Sequence, residues 1–381
     1  MGPRYIHVFQ VLSRLNGKNR ALAALDLEEP DLVPQFEIII DPPVIEAITG
    51  ETLIRGEDAL RHGRDQTIRL NSHIAARCYR MIGIDMIGVL ESPPRDTRSE
   101  PLGNDGWIDE WGRAFRYKEG IEWYSQGTIK RIEDLKNLQK PDPLAPGRLD
   151  SLKIILNELG DSTAIVGVIS EGWETAYQMT GLENMMRFFY VNPELVVRLI
   201  DMVVDYNIGL LQAMADTGVD AILGGDDYAS QKGPLVSQRH FEQFILPGLR
   251  RIVDATKKHG LPFIKHCDGY IMPMLDSLIS VGIDGLHSME PIAGMNLGEV
   301  KSKYGADICL LGNVDCSHTL CTKSPSDVAQ EVRDCIEQGA PGGGYFLSSS
   351  NTIHTGVNVE NYFAMIEAGR KYGRYSPAGF T

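Results

Sequence analysis

The residues of this chain best suited to chemistry come in short polar clusters, and the most informative is His266-Cys267-Asp268-Gly269. In an extended strand, residues i and i+2 point to the same side, so His266 and Asp268 share a face while Cys267 points away. An imidazole nitrogen beside a carboxylate oxygen suits zinc, with bonds of about 2 Å. The same spacing also fits a structural arrangement in which Asp268 caps the following helix and His266 hydrogen-bonds to a neighbouring strand. Five more clusters have similar composition: Ser170-Glu171-Gly172-Trp173, Gly224-Gly225-Asp226-Asp227-Tyr228, His287-Ser288-Met289-Glu290-Pro291, Gly312-Asn313-Val314-Asp315-Cys316 and Ser348-Ser349-Ser350-Asn351, with His354 just beyond. Singly they are weak signals. Asp226-Asp227 is a common cap or turn, and a lone His287 is commonly a hydrogen-bonded core residue. Six of them at corresponding places in a repeating pattern argue for one active site.

That pattern is set by eight short apolar runs, 36–40, 84–90, 164–169, 220–223, 262–264, 285–286, 308–311 and 345–347, of which the last six lead into the clusters. The runs are rich in Ile, Val, Leu and Phe and do not alternate cleanly, as expected of strands buried on both faces of a parallel sheet. Helical spacing appears between them. Leu195, Val196, Leu199, Ile200, Val203 and Val204 mark 193–217, and Phe241, Phe244, Ile245, Leu249 and Ile252 mark 236–259. Ser324 reads as an N-cap, with Pro325 at the first helical position and Asp327 in the first turn, and Asn358 opens a last helix to about Tyr372. Eight strands with helical crossovers predict an α/β fold, a (β/α)8 TIM barrel, as one domain over residues 1–381. An open doubly wound sheet is the alternative. It would place a glycine fingerprint after its first strand, where this chain has Asp41-Pro42-Pro43. Barrel enzymes build their sites at the C-terminal ends of the strands, where the clusters fall. Residues 91–143 break the pattern and hold Trp107, Trp111 and Trp123. They read as an insertion after the second strand, either a lid over the mouth or a solvent-facing excursion with its own small core.

The chain has 381 residues, 43% hydrophobic and 23% charged, an ordinary globular composition large enough to need no disulfide or structural metal for its core. A net charge of −14 argues against a nucleic-acid or anionic-membrane surface but leaves room for a local cationic pocket. No apolar run approaches the roughly 20 residues of a membrane span. The six cysteines form no CxxC pair and no cleavage pattern opens the chain, which points to reduced thiols in a cytoplasm.

Glu29-Pro30-Asp31 with Val33-Pro34, Asp109-Glu110-Trp111-Gly112, Gly181-Leu182-Glu183-Asn184, the cluster at 224–228, His266-Cys267-Asp268-Gly269, Gly312-Asn313-Val314-Asp315 and Glu360-Asn361 together resemble the uroporphyrinogen decarboxylase-like superfamily. Within it the chain is most similar to the cobalamin-linked methyltransferases. The resemblance covers most of the chain and implies a (β/α)8 barrel. True uroporphyrinogen decarboxylases carry an N-terminal Arg-Gln-Ala-Gly-Arg stretch for porphyrinogen carboxylates and a late Gly-His pair. This chain has neither, and Ser350-Asn351 stands at the latter place. The metal-binding methyltransferases hold zinc through His-x-Cys and a later Cys. Here His266 is kept, while Asp268 and Asn351 stand at the two cysteine positions. Exchange of thiolates for oxygen ligands gives a harder site, suited to an ether or phenolate oxygen and not to a thiol.

The resemblance therefore implies a methyltransferase of the O-demethylase type, moving methyl from a small methoxylated substrate to Co(I) of a corrinoid. The chain has no Asp-x-His-x-x-Gly sequence, so cobalamin would come on a separate corrinoid protein. His266 and Asp268 are the expected metal ligands, with Glu290 or Glu171 as a third. Asp226 and Asp227 are candidates to orient a proton donor, Asn313 and Asn351 to hydrogen-bond substrate, and Glu171 and His287 to contact it. Trp173, Tyr228 and Met289 are candidate apolar walls. Two other readings stay open. One is a metal-free decarboxylase of a smaller acid, with Lys265 or Arg95 as its carboxylate clamp. The other is a non-catalytic subunit of a methyltransferase complex. A homodimer is also left open.

Overall fold

The computed structural model describes residues 15–96, 100–103, 106–118, 121–136 and 138–375. Eight parallel strands close into a barrel: β1 (Gln35–Glu37), β2 (Met86–Leu90), β3 (Ala164–Ile169), β4 (Ala221–Gly224), β5 (Phe263–Cys267), β6 (Gly285–Ser288), β7 (Cys309–Leu311) and β8 (Tyr345–Ser348). They follow one another in chain order, and β1 pairs with both β2 and β8 to complete the ring. Helices return the chain between strands, among them Pro193–Thr217, Leu246–Lys258 and Pro325–Gly339.

The strands have two buried faces, which is why their sequences do not alternate. One face fills the barrel interior, where Phe36, Met86, Val166, Leu223, Ile264 and Phe346 meet. The other packs under the helices. The floor of the barrel is sealed by the helix Gly17–Leu25, whose Ala21, Ala24 and Leu25 join the interior core. Arg20 on that helix is buried and pairs with Asp31 and with Asp85, the residue just before β2.

Some details differ from the sequence expectation. The first run predicts a strand over 36–40, but β1 ends at Glu37, and Ile38 and Ile39 turn to line a cavity. β5 runs on through the polar residues, as the extended reading of His266 and Asp268 requires, because His266 and Cys267 pair with His287 and Ser288 of β6. The helix expected over 236–259 is present without a gap over 238–258, but not as a uniform α-helix. A π turn at Phe241–Ile245 precedes Leu246–Lys258, since Pro247 offers no backbone N–H to continue an ordinary ladder. The helix Pro193–Thr217 and the capping box of Ser324 with Asp327 are as expected.

Between β2 and β3 lies a four-stranded antiparallel sheet, formed by Glu100–Pro101, Gly106–Ile108, Arg113–Lys118 and Ile121–Gly127. It rests on the helix Trp173–Thr180. Tyr124 donates through its hydroxyl to the Gln178 carbonyl at 2.8 Å, and a Cβ at Gly127 would stand 2.2 Å from the Met179 backbone. Only glycine permits that approach. Trp111 meets the ring of Tyr206 edge-on at 5.0 Å. Among the described residues, no helix is long and apolar enough to cross a membrane.

Candidate active site

At the C-terminal rim the chain encloses a cavity of about 440 Å³. Ile38, Ile39, Leu90, Val168, Ile169 and Trp111 form its apolar wall, and Glu174, Asp226, Asp227, His266, Asp268 and Asn351 stand on its polar side. The alternation of β5 explains the position of the polar pair. Ile264 belongs to the barrel interior, so His266 and then Asp268 follow on the same side at the mouth. Cys267 points outward, its sulfur 3.2 Å from the backbone nitrogen of Tyr228, and burial pushes the thiol far up from its ordinary range.

Asp227, at the end of β4, completes a trio with His266 and Asp268 whose ligand atoms all lie within 4.8 Å of one another. His266 Nε2 is 3.7 Å from Asp268 Oδ1 and 4.0 Å from Asp227 Oδ1. The hydrogen bonds behind the ring fix which nitrogen carries the proton. His287 Nε2 lies 3.3 Å from the carbonyl of Ser349, which can only accept, and 3.2 Å from Ser348 Oγ, whose own proton goes to that carbonyl. His287 Nε2 therefore holds a proton. Burial, reinforced by His266, keeps His287 neutral, so its Nδ1 is an acceptor. That nitrogen is 2.8 Å from His266 Nδ1, which must then be the donor. Burial also lowers His266 to about 4, so the ring is neutral and its Nε2 lone pair faces two carboxylates. Three electron-pair donors turned toward one another fit a cation. A carbonyl–histidine–histidine chain behind the ligand is the kind of outer support that metal-binding imidazoles use.

Asp268 is held by Ser288, whose hydroxyl donates to Oδ1 at 2.9 Å, and by Asn351, whose amide donates to Oδ2. Burial and the neighbouring Asp227 push its carboxyl up to about 7. Asp227 Oδ1 accepts from the Asp268 backbone N–H at 2.8 Å. The third member of the candidate site is thus Asp227 and not Glu171 or Glu290. Glu290 Oε2 accepts from the Gly269 backbone at 3.0 Å, outside the trio. Glu171 lies beneath the mouth, where its Oε2 takes a 2.7 Å ion pair from Lys265 and a bond from the Tyr228 hydroxyl. Burial pulls Lys265 down, but Glu171 and Asp226 outweigh it and the net direction is up.

Other expected residues sit apart from the cavity lining. Trp173 is fully buried and stacks on Phe189, Tyr228 packs against Phe241, and Met289 is buried. Asn313 donates to the Met289 carbonyl at 2.9 Å. His287 stands behind His266. Asp226 does reach the cavity, but both its oxygens are engaged, by Ser170 Oγ at 2.8 Å and the Glu174 backbone N–H at 3.0 Å. Sequence reasoning passed over Glu174, Arg113, Trp111 and Tyr206 as lining residues. Glu174 stands one place beyond the cluster at 170–173, so the start of its helix could have flagged it. The other three come from elements far away in sequence.

A closed eight-stranded parallel barrel with surrounding helices defines a (β/α)8-barrel protein. Residues 108–372 match the family model described as uroporphyrinogen decarboxylase (URO-D), and the chain belongs to that family. Two of its relatives bear different names. A uroporphyrinogen decarboxylase of Alkalilimnicola ehrlichii is 26% identical over 277 residues, covering 68% of this chain and 72% of the relative. A methylcobamide:CoM methyltransferase of Methanosarcina acetivorans is 25% identical over 251 residues, covering 64% and 70%. A solved methyltransferase from Methanosarcina mazei aligns with a TM-score of 0.74 at 22% identity, over 94% of this chain and 99% of that one, and supports the fold.

Proposed function

We propose that this protein is a corrinoid-dependent methyltransferase that takes methyl from an O-methyl donor, such as an aryl methyl ether, and passes it to Co(I) of a separate corrinoid protein. The observation that carries the reading is the donor set, a neutral imidazole with its bare nitrogen turned toward Asp227 and Asp268 beside an aliphatic wall. Zinc held by these three residues would supply Lewis acidity at the leaving oxygen. Asn351 and Ser288 orient Asp268, and His287 locks the ring of His266. The cavity of about 440 Å³ suits a small donor, with Ile38, Ile39 and Val168 excluding water from its apolar part. The sheet that brings Trp111 and Arg113 to the cavity acts as its lid.

Decarboxylation is the second reading, favoured by the decarboxylase relatives. The two cations expected to clamp its carboxylate are engaged elsewhere, Lys265 buried against Glu171 and Arg95 exposed beside Asp65 and Asp150, while Arg113, which does line the cavity, is paired with Asp109. The test combines elemental analysis with spectroscopy. Wild type should carry about one equivalent of zinc, and His266→Ala should lose it while remaining folded. With a reduced corrinoid protein and a panel of methoxy compounds, the Co(I) absorbance should give way to that of methyl-Co(III) as the alcohol or phenol appears. Asp268→Ala should slow this step by about 10²-fold or more. Decarboxylation by the isolated protein would favour the second reading. Metal-free protein inert in both assays would favour a non-catalytic subunit.

A further inference from the structure

Breaking a methyl–oxygen bond leaves an electron pair on oxygen, and product release needs a proton there. One carboxyl group on the cavity wall is built to supply it. Glu174 sits in the first turn of the helix after β3, where its backbone N–H is fixed by Asp226 Oδ2 at 3.0 Å. Its Oε1 accepts from Gln178 Nε2 at 3.0 Å and from the Tyr177 hydroxyl at 3.3 Å. With both donors on Oε1, a proton on this carboxyl belongs on Oε2. The side chain lines the same cavity as the Asp227–His266–Asp268 trio.

We propose that Glu174 is the acid that protonates the oxygen from which methyl departs; this role rests on the methyl-transfer reading above. As the C–O bond breaks, its electron pair stays on oxygen and takes the Glu174 proton, giving the alcohol or phenol and the Glu174 carboxylate. The methyl carbon accepts the electron pair of Co(I), which becomes methyl-Co(III), so charge and atoms balance. Burial, with Asp226 and Asp227, pushes Glu174 up to about 7, while Tyr177 and Lys265 pull it down. A general acid works best with such a value near the working pH.

The experiment uses the zinc-loaded protein, a reduced corrinoid protein and two donors, 4-methoxyphenol and 4-nitroanisole. Their leaving oxygens differ greatly in basicity. Glu174→Gln should cut the rate on 4-methoxyphenol by about 10²–10⁴-fold and spare 4-nitroanisole, whose phenolate leaves without a proton. An infrared titration, which needs no turnover, should show one carboxylic-acid component near neutral pH that Glu174→Gln lacks, beside those of Glu37 and Asp268 that it keeps. Gln178→Leu removes a donor to the ionised form, so it should move the basic limb of the pH–rate profile upward. Equal loss on both donors, or no loss, overturns the role of Glu174 while methyl transfer stands. Failure of wild type with every donor overturns the methyl-transfer reading, and this role with it.

Discussion

At the scale of single residues, the site rests on groups whose protonation is set by burial. His266 and His287 are the clearest pair, and Glu37 is a third case. Its side chain is fully buried in β1 and accepts from the hydroxyl of Ser349, next to the carbonyl that fixes His287. Burial is the main cause of its shift, from the ordinary 4.5 up to about 8, against the pull of Ser349. Between those two values the unfolded chain gives up a proton that the folded chain keeps, so this group makes stability fall as pH rises through the window. Glu37→Gln should flatten that decline, read as the melting temperature of both proteins across the window; an unchanged slope would disprove the assignment. Residues of this kind are hard to find from sequence. The pairing of His266 with Asp268 was legible because a strand alternates. Asp227 as their companion was not, because its distance from His266 depends on how β4 and β5 lie side by side. Glu171 and Lys265 look like site residues in the sequence. In the structure they neutralise each other one layer below.

At the scale of elements, the alternation that paired His266 with Asp268 rests on hydrogen bonding between β5 and β6. The apolar run ends at Ile264, yet β6 carries β5 on to Cys267, and that extension delivers His266 to the mouth. The insertion shows the opposite limit. Its tryptophans were visible, but its docking was not, since the contacts run to elements far along the chain. Arg148 is the main tether. It is 3% exposed, with Nη1 3.0 Å from Glu91 and Nη2 2.7 Å from Glu110, and its guanidinium lies over the ring of Tyr206 at 5.1 Å. Glu91 belongs to the rim and Glu110 to the sheet, so one cation joins the two. Removing it strands two partly buried carboxylates. Arg148→Leu should destabilise by about 3 kcal/mol or less, given partial solvent screening. It should also speed amide exchange in the sheet more than in the barrel strands, and raise KM more than it lowers kcat. Uniform faster exchange throughout the molecule would show that Arg148 supports the barrel and not the lid.

At the scale of the whole molecule, the eight-stranded plan was readable because strands buried on both sides carry or adjoin a short apolar run, even where polar residues enter them, as in β1 and β5. The closure of that plan at its floor, by the helix Gly17–Leu25, has a kinetic meaning. Among the described residues, the cavity lies at the C-terminal rim above an interior filled with side chains. Under the proposed reading, the small methyl donor and the much larger corrinoid protein must use that rim in turn, because the partner stops the mouth while it delivers cobalt. The donor then binds first, the partner second, and the demethylated product leaves only after the partner has gone. Steady-state rates should follow a compulsory-order pattern in which the alcohol or phenol product competes with the methyl donor, and excess corrinoid protein should inhibit by trapping donor-free enzyme. Random-order kinetics, with no inhibition by excess partner, would mean that small molecules pass by another route, and the sealed floor would have no bearing on the order of events.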